Sequence, residues 1–243
     1  MNGHRLRMAK SPRKPRHAAT HAVAEPPPAG DTPPPPEQLH VSTLTWKAAR
    51  TLHRVHLAEF AGDQFNPGTT GNARFSPIKT PRGEAIPTIY GGSTFDCAAT
   101  GTVFHDVPFV PGFKSYDKAK LKDQVHTRLN FRTDLVLVDL RSKALRKLGI
   151  QRKHLIDSEK DQYPVTRSWA EAVYAQHPNV QGLCWTSRQD DAAQAVVLFG
   201  DRIPSGALYK VGVSRSLLDD SATYDELLDL ALQIGVNIVP GKT

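Results

Sequence analysis

The pattern of apolar and polar positions along this chain predicts a mixture of strands and helices. Strands are predicted at 52–57, 134–140, 180–185, 195–199 and 207–213. Helices are predicted at 93–105, 118–127, 142–148 and 165–176, followed by a last helix that Thr223 caps and Gly235 ends. The elements do not follow a regular βαβ alternation, so the pattern indicates an α+β domain with mixed sheets and flanking helices.

Residues 61–92 stand apart because they are rich in Gly, Pro, Asn and Thr and show little periodicity. Irregular segments of this length inside a domain tend to be functional. They lead into the helix predicted at 93–105, which has Ser93 as its cap and Asp96 three residues later. Gly101 falls inside that predicted helix, where glycine costs about 1 kcal/mol relative to alanine.

The first 43 residues differ in composition from the rest of the chain. Residues 1–40 hold six of the Lys and Arg residues and nine of the nineteen prolines, with few large apolar side chains. Such a segment buries too little surface to offset its ordering entropy, so residues 1–43 are predicted to be a disordered tail and residues 44–243 the folded domain. The basic head lacks interleaved aromatic residues, which favours a solubilising tail over direct nucleic-acid binding.

Several classes of protein are excluded by what the sequence lacks. The longest apolar run outside the tail, residues 195–199, is far too short to span a bilayer, and the basic head has no secretory pattern. The two cysteines form neither a disulfide framework nor a metal pair, and no phosphate-binding or metalloprotease motif is present. We therefore expect a cytoplasmic protein with no membrane contact and no metal.

Four residues are candidates for binding chemistry. Arg54 lies in an apolar strand and Arg74 in the irregular segment, and a guanidinium offers a planar fork of donors to phosphate oxygens. Tyr90 precedes Gly91-Gly92, where bulky neighbours are missing, so it can offer its ring face to a flat heterocycle. Ser187 follows a predicted strand, where it can donate one hydrogen bond. The residues alone thus indicate an α+β domain with a site for an anionic ligand.

The same residues belong to motifs that resemble the RES domain family. The resemblance rests on Arg54, on residues 65–67, 73–75, 86–90 and 102–106, on residues 182–188 and on residues 196–199, in that order. It covers roughly residues 45–205. By motif, the family's arginine corresponds to Arg54 and its serine to Ser187, while Arg74 and Tyr90 match two further pocket residues.

The resemblance implies a function as well as a fold. RES proteins are toxins of bacterial toxin–antitoxin pairs, with a fold similar to that of ADP-ribosyltransferase toxins. They bind NAD+ as substrate and break its nicotinamide–ribose bond by hydrolysis or phosphorolysis, and some members transfer ADP-ribose to a protein. The implied partner is an antitoxin with a helix-turn-helix domain, whose C-terminal segment blocks the active site.

The chain departs from the family at the catalytic glutamate, because Gly101 precedes the Thr-Val-Phe-His run. A carboxylate here favours positive charge on the ribose in the transition state, and losing such a group costs about 10²–10³ in rate. Asp96 and Asp106 are five positions away, about 140° around a helix, and His105 shares the face but is no carboxylate. Either the catalytic glutamate has been lost naturally in this protein, or it was deliberately replaced by glycine so that a toxic protein could be expressed.

Three functions therefore stay open at the level of sequence. The leading one is a RES-type toxin that consumes NAD+. The second is a protein ADP-ribosyltransferase. The third is a catalytically dead module that binds its antitoxin or NAD+ without turnover.

Overall fold

A computed structural model describes residues 31–68 and 70–241. The larger strands are β1 (Thr43–Trp46), β2 (Leu52–Leu57), β5 (Thr88–Gly92), β7 (Gln124–Phe131), β8 (Leu135–Asp139), β9 (Gly182–Thr186) and β10 (Gln194–Phe199). The shorter ones are β3 (Ile78–Lys79), β4 (Ala85–Ile86), β6 (Lys114–Asp117), β11 (Leu208–Lys210), β12 (Arg215–Ser216) and β13 (Val236–Val239). The helices are α1 (Phe95–Thr100), α2 (Ser142–Leu148), α3 (Arg152–Leu155), α4 (Tyr163–Gln176) and α5 (Ser221–Gln233), and 3₁₀ turns span Lys118–Leu121, Lys160–Gln162 and Gly200–Arg202.

One large mixed sheet organises the domain. Its strands run in the order β1-β8-β9-β10-β5-β2-β7-β11, with β12 also paired to β7. The β8–β9 pair is parallel and the other pairs of this sheet are antiparallel. Two small sheets, β13-β6 and β3-β4, lie outside it. The expected α+β class is therefore confirmed.

Side chains alternate between two faces of the central strands, as the period of a strand requires. Leu183 and Val197 pack with Trp169 of α4 in one buried cluster. Their neighbours along the strands, such as Cys184 and Val196, belong to a second cluster on the other face. That second cluster draws side chains from both ends of the sheet, so the sheet curves around it.

Helix α1 is shorter than the sequence predicts, and a different residue caps it. Thr94 has extended backbone angles and its hydroxyl accepts a hydrogen bond from the Cys97 N–H at 3.1 Å. Ser93 instead exchanges hydrogen bonds with Gln194 of β10, so it belongs to the sheet. The helix ends at Thr100 rather than at residue 105.

The cap of the last helix was also predicted one turn too late. Asp220 caps α5, because its carboxylate accepts from the Thr223 N–H at 2.9 Å. Thr223 is therefore inside the first turn and is buried against the core. The predicted end of the helix at Gly235 agrees with the structure, because Gly235 lies just after α5 and has a left-handed φ of 67°.

The helix predicted at 118–127 is wrong. A 3₁₀ turn covers Lys118–Leu121, and Asp123 then adopts a left-handed φ of 61°, which breaks the helical path. The chain continues as β7, which pairs with β2 from Gln124 to Leu129. Its side chains at 127, 129 and 131 are buried, so sheet pairing overrides the polar, helix-like local pattern.

Part of the predicted disordered tail lies against the domain. Leu39 is buried, and its N–H donates to the Gln176 side chain at 2.8 Å. The indole Nε1 of Trp169 donates to the Pro33 carbonyl at 2.7 Å. Residues 32–39 therefore pack along α4, because side chains of that helix hydrogen-bond to their backbone. The prediction for residues 1–30 lies outside the described residues.

Candidate functional site

The five residues singled out from the sequence line one cleft of about 550 Å³. They are Arg54, Arg74, Tyr90, Gly101 and Ser187. Strands β2 and β5 form its floor, α1 and the following turn form one wall, and the Lys160–Gln162 turn and the β9–β10 loop form the other. Residues far apart in the chain thus meet in one place.

Arg74 is the most deeply buried cation of the cleft, with 7% of its surface exposed. Its Nη1 donates to the Ser158 hydroxyl at 2.6 Å and to the Leu155 carbonyl at 3.2 Å. Its guanidinium also lies 4.9 Å from the centre of the Tyr163 ring. Among the described residues no carboxylate forms an ion pair with it, and burial lowers its pKa. A buried cation without a counter-ion is costly, so this position favours an anionic ligand.

Arg54 lies on β2 and ties the neighbouring loop to the sheet. Its Nη1 donates to the carbonyls of Gly62 at 2.7 Å and Gln64 at 2.8 Å. Burial lowers the pKa of Arg54 to about 10, a shift that Asp63 opposes, so the guanidinium stays charged at neutral pH. As with Arg74, none of the described carboxylates forms an ion pair with Arg54.

Tyr90 is held firmly in the floor of the cleft. Its hydroxyl oxygen accepts the Phe75 N–H at 2.9 Å, and its ring meets the edge of Trp185 with centroids 6.3 Å apart. Burial raises the pKa of Tyr90 to about 12, so the phenol is neutral. Both contacts fix the orientation of the ring where it lines the cleft.

The two glycines after Tyr90 serve a different purpose from the one expected. A Cβ on Gly91 would lie 2.8 Å from the His53 carbonyl oxygen, and one on Gly92 would lie 2.8 Å from the Cys97 side chain. Gly91 therefore lets β5 approach β2, and Gly92 lets α1 rest on β5. Glycine is therefore required at both positions for close packing of the backbone. It is not required to leave space beside the tyrosine ring, as the sequence predicts.

Ser187 follows β9 directly and is 5% exposed. Its Oγ accepts the Gln189 N–H at 3.1 Å, and its hydroxyl also lies close enough to the Cys97 thiol to oppose, by hydrogen bonding, the rise that burial causes in the pKa of that thiol. Its carbonyl accepts from Arg152 Nη2 at 3.2 Å. The structure therefore places the Ser187 hydroxyl in the lining of the cleft, at the end of β9.

Gly101 is the residue that ends α1, with φ −72° and ψ −12°. The predicted cost of a mid-helix glycine does not apply, because the glycine stands at the C-terminal cap. A Cβ here would lie 3.1 Å from the Cys97 carbonyl oxygen and 3.9 Å from that of Ala98, with no other contact within 4 Å. The backbone does not require glycine, and a longer side chain has room in the cleft.

The end of α1 at Thr100 also changes the expectation for the nearby acids. The 140° separation assumed a helix that continues to residue 106, but the chain leaves the helix and brings Asp106 into the lining of the cleft. The Asp106 carboxylate is occupied there, since Oδ1 accepts from Lys160 Nζ and His105 Nδ1, each at 2.6 Å. Asp96 is not among the lining residues.

Sequence reasoning missed several residues of the cleft. Arg188 lines it and donates from Nη1 to the Ser158 carbonyl at 3.1 Å, so Ser158 anchors both Arg74 and Arg188. Its position beside Ser187 in the motif was an available signal. Lys160 and Tyr163 also line the cleft, but they lie in elements whose sequence carries no binding pattern. His56 lines it too and lies two residues after Arg54 in β2, a position that could have indicated it.

The electrostatic balance of the cleft is strongly positive. Four cationic side chains line it, namely Arg54, Arg74, Lys160 and Arg188. Among the described residues, one carboxylate, that of Asp106, also lines it. A cleft lined by one sign of charge concentrates ligands of the opposite charge. With an aromatic floor and a buried hydroxyl, the arrangement can bind an anionic ligand that carries a flat ring.

A metal centre and a membrane span are two further features that a chain of this length can carry. The described residues contain no group of three or more His, Cys, Asp or Glu side chains arranged to hold a metal ion. None of the described helices is both long enough and apolar enough to cross a bilayer.

Comparison with known proteins agrees with the motifs. The model of the RES domain matches residues 44–220, which is well over half of the chain and includes every residue discussed for the cleft. Comparison with curated proteins gives no match. RES domains are associated with enzymatic toxins that act on NAD. The extent of the match shows that the chain belongs to the RES domain family.

Proposed function

We propose that this protein binds NAD+ in the cleft and cleaves the bond between nicotinamide and ribose, as a toxin held in check by an antitoxin. The observation that carries the proposal is Arg74, a buried cation without a carboxylate partner among the described residues, in the same cleft as Tyr90 and Ser187. The diphosphate of a dinucleotide supplies the missing negative charge. Membership of the RES domain family supports the choice of NAD+ over other anions.

Each residue has a role in this proposal. Arg54 and Arg74 hold the diphosphate and the adjoining ribose through their unoccupied N–H groups. Tyr90 stacks on the nicotinamide ring, and Ser187 donates its hydroxyl proton to the nicotinamide ribose or amide. The nicotinamide ring nitrogen takes the bonding electrons as the bond breaks, and positive charge develops on the ribose.

Gly101 limits the rate in this proposal. A carboxylate directed at the ribose stabilises the developing positive charge, and its loss costs about 10²–10³ in rate. Asp106 lines the same cleft, but its carboxylate is bound to Lys160 and His105. The protein as it stands is therefore expected to bind NAD+ well and to cleave it slowly.

The test replaces Gly101 by glutamate and measures NAD+ loss and bacterial growth. Gly101→Glu is expected to raise the rate of NAD+ cleavage by about 10²–10³ and to arrest growth. Gly101→Gln is the matched control, because it has the same shape without the charge. Failure of all three proteins to consume NAD+ would overturn the proposal, whether or not calorimetry detects binding.

A second function is favoured by the glycine itself. If the chain is a binding module without catalysis, calorimetry will detect NAD+ or antitoxin binding while turnover stays absent, even in Gly101→Glu. Isotopically labelled NAD+ separates hydrolysis from transfer, since label that stays on a protein identifies an ADP-ribosyltransferase.

The antitoxin belongs to the proposal on the strength of the family alone. The expected partner is a small protein with a helix-turn-helix domain, whose C-terminal segment enters the cleft. Co-expression with such a protein from a neighbouring reading frame is expected to restore growth to cells that carry Gly101→Glu. A partner that binds without affecting NAD+ access to the cleft would contradict this arrangement.

A further inference from the structure

A histidine and an aspartate that follow α1 form a hydrogen-bonded pair on the wall of the cleft. His105 Nδ1 and Asp106 Oδ1 are 2.6 Å apart, and both residues line the cleft. Lys160 Nζ donates to the same Oδ1 at 2.6 Å. The hydrogen bonds from Lys160 and then His105 lower the pKa of Asp106, so its carboxylate is ionised at neutral pH.

These contacts assign the proton on His105. An ionised carboxylate can only accept, so Nδ1 must carry the proton that it donates to Asp106. In the neutral ring the lone pair is then on Nε2, and this atom makes no hydrogen bond within the described part of the chain. The side chain is 33% exposed, so a small molecule in the cleft can reach it.

The other basic groups of the cleft are already engaged or protonated. Both ring nitrogens of His56 have partners, with Nδ1 donating to the Leu57 carbonyl at 2.8 Å and Nε2 accepting from the Thr127 hydroxyl at 2.7 Å. Burial raises the pKa of the Cys97 thiol to about 11 and that of the Tyr90 phenol to about 12, so both keep their protons. Among the described lining residues, His105 is left with a free basic lone pair.

Neighbouring elements hold the pair in position. Lys160 belongs to the 3₁₀ turn on the opposite wall, so its bond to Asp106 spans the mouth of the cleft. Gln189, in the β9–β10 loop, donates from Nε2 to the His105 carbonyl at 3.5 Å. The next charges on that side, Arg188 and Glu159, pair with each other at 3.2 Å. The charge that directly contacts the imidazole is therefore the Asp106 carboxylate, which fixes the tautomer and the orientation of the ring.

We propose that His105 Nε2, oriented by Asp106, accepts the proton of the water molecule that attacks the ribose. The inference rests on the proposed function. The water oxygen forms a bond to C1′ of the ribose as the bond from C1′ to the nicotinamide nitrogen breaks. The bonding electrons go to the nicotinamide ring, which leaves neutral, and the proton of the water goes to His105. The reaction class is hydrolysis, since a phosphate dianion can attack without losing a proton.

The experiment uses full-length Gly101→Glu as parent, in phosphate-free buffer, with NAD+ as the probe. Adding His105→Gln is expected to lower kcat about 100-fold, within the usual contribution of a general base. Adding Asp106→Asn is expected to lower it about tenfold. In both cases the dissociation constant of NAD+ should stay within about twofold of the parent. His40→Gln, an exposed histidine outside the cleft, is the matched control.

Two further readouts separate proton transfer from a structural role. An essential base makes kcat fall at acidic pH, and this fall should be absent from His105→Gln. Imidazole added to the solution should restore part of the rate of that variant. A kcat within threefold of the parent, an unchanged acidic limb, or a strict requirement for phosphate would overturn the inference while leaving NAD+ cleavage intact. A parent that binds NAD+ without any turnover would overturn both proposals.

Discussion

A single buried arginine gives the cleft most of its chemical character. Arg74 donates to the Ser158 hydroxyl and the Leu155 carbonyl, and these neutral acceptors compensate its charge only partly. Arg188 is anchored on the same Ser158 and its charge lowers the pKa of Arg74 further, after burial. Glu159 pairs with Arg188 but not with Arg74, so an anion that entered the cleft beside Arg74 would be stabilised by an uncompensated charge.

Replacing Arg74 with methionine should therefore separate binding from folding. We expect NAD+ affinity to fall about 30-fold or more, which is the cost of truncating one member of a buried charge pair. The free energy of unfolding should change by less than about 1 kcal/mol, because the lost hydrogen bonds are offset by a lower desolvation cost. Calorimetry and urea unfolding measure the two quantities.

Arg146→Met is the matched control, since Arg146 is exposed on α2 and does not line the cleft. Unchanged NAD+ affinity in Arg74→Met would show that this arginine does not face the ligand.

At the scale of elements, the position of α1 against β5 decides the shape of the cleft. The helix has six residues and one side-chain cap, so it is too short to be stable without its packing. Phe95 and Ala99 bury it against α5 and β2, and Gly92 lets it approach the sheet. The residues that follow it, from Gly101 to Asp106, are therefore positioned by that contact.

A methyl group at Gly92 should disturb this arrangement. Its Cβ would lie 2.8 Å from the Cys97 side chain and 2.9 Å from the Ala98 nitrogen, so Gly92→Ala must displace α1. We expect a loss of about 1–3 kcal/mol in the free energy of unfolding, typical of overpacking, together with weaker NAD+ binding.

Gly101→Ala provides the comparison, because position 101 has a helical φ of −72° and a methyl group there would approach only the Cys97 carbonyl oxygen, at 3.1 Å. Its unfolding free energy should differ from that of the unchanged protein by about 0.5 kcal/mol or less. Equal stability of the two alanine variants would argue against the close contact of α1 with β5.

At the scale of the whole molecule, the sheet beneath α1 buries two stacked histidines. His53 and His126 lie on adjacent strands with ring centroids 5.1 Å apart, and Nδ1 of His53 is 3.0 Å from Nε2 of His126. Burial lowers the pKa of His126 to about 4, and the nearby His53 and Arg128 lower it further. Burial also lowers the pKa of His53 and of His56.

Acid should therefore destabilise the fold well before the carboxylates titrate. His126 binds a proton below about pH 6.5 in the unfolded chain, whereas in the folded chain it binds one only below about pH 4. Stability is thus complete above pH 6.5 and is lost as the pH falls through this window. Between pH 7.5 and 5 we expect this one residue to account for about 2 kcal/mol.

Urea unfolding of His126→Gln at the two pH values checks the expectation. The variant should lose about 2 kcal/mol less than the unchanged protein between pH 7.5 and 5, and His40→Gln should behave like the unchanged protein. An identical pH dependence in His126→Gln would show that this imidazole is protonated in the folded state.

The local pattern of the sequence was sufficient to predict several helices and strands and to single out the candidate residues. The strand predicted at 52–57 is β2, the helix at 142–148 is α2, and the run at 195–199 lies within β10. Each is set by the alternation or spacing of its own apolar residues, which requires no information from elsewhere in the chain. The motifs likewise predict one site from Arg54, Arg74, Tyr90, Gly101 and Ser187, and the structure places all five around one cleft.

By itself, then, the sequence determined the α+β class, the family and the identity of those five residues. Only the tertiary structure decided that β7 is a strand, that α1 ends at Thr100, that residues 32–39 lie along α4, and that Arg188, Lys160 and the His105–Asp106 pair join the cleft. The physical reason is the same in every case. Each of these features depends on hydrogen bonds or packing between residues distant in the chain, and a local pattern holds no record of such contacts.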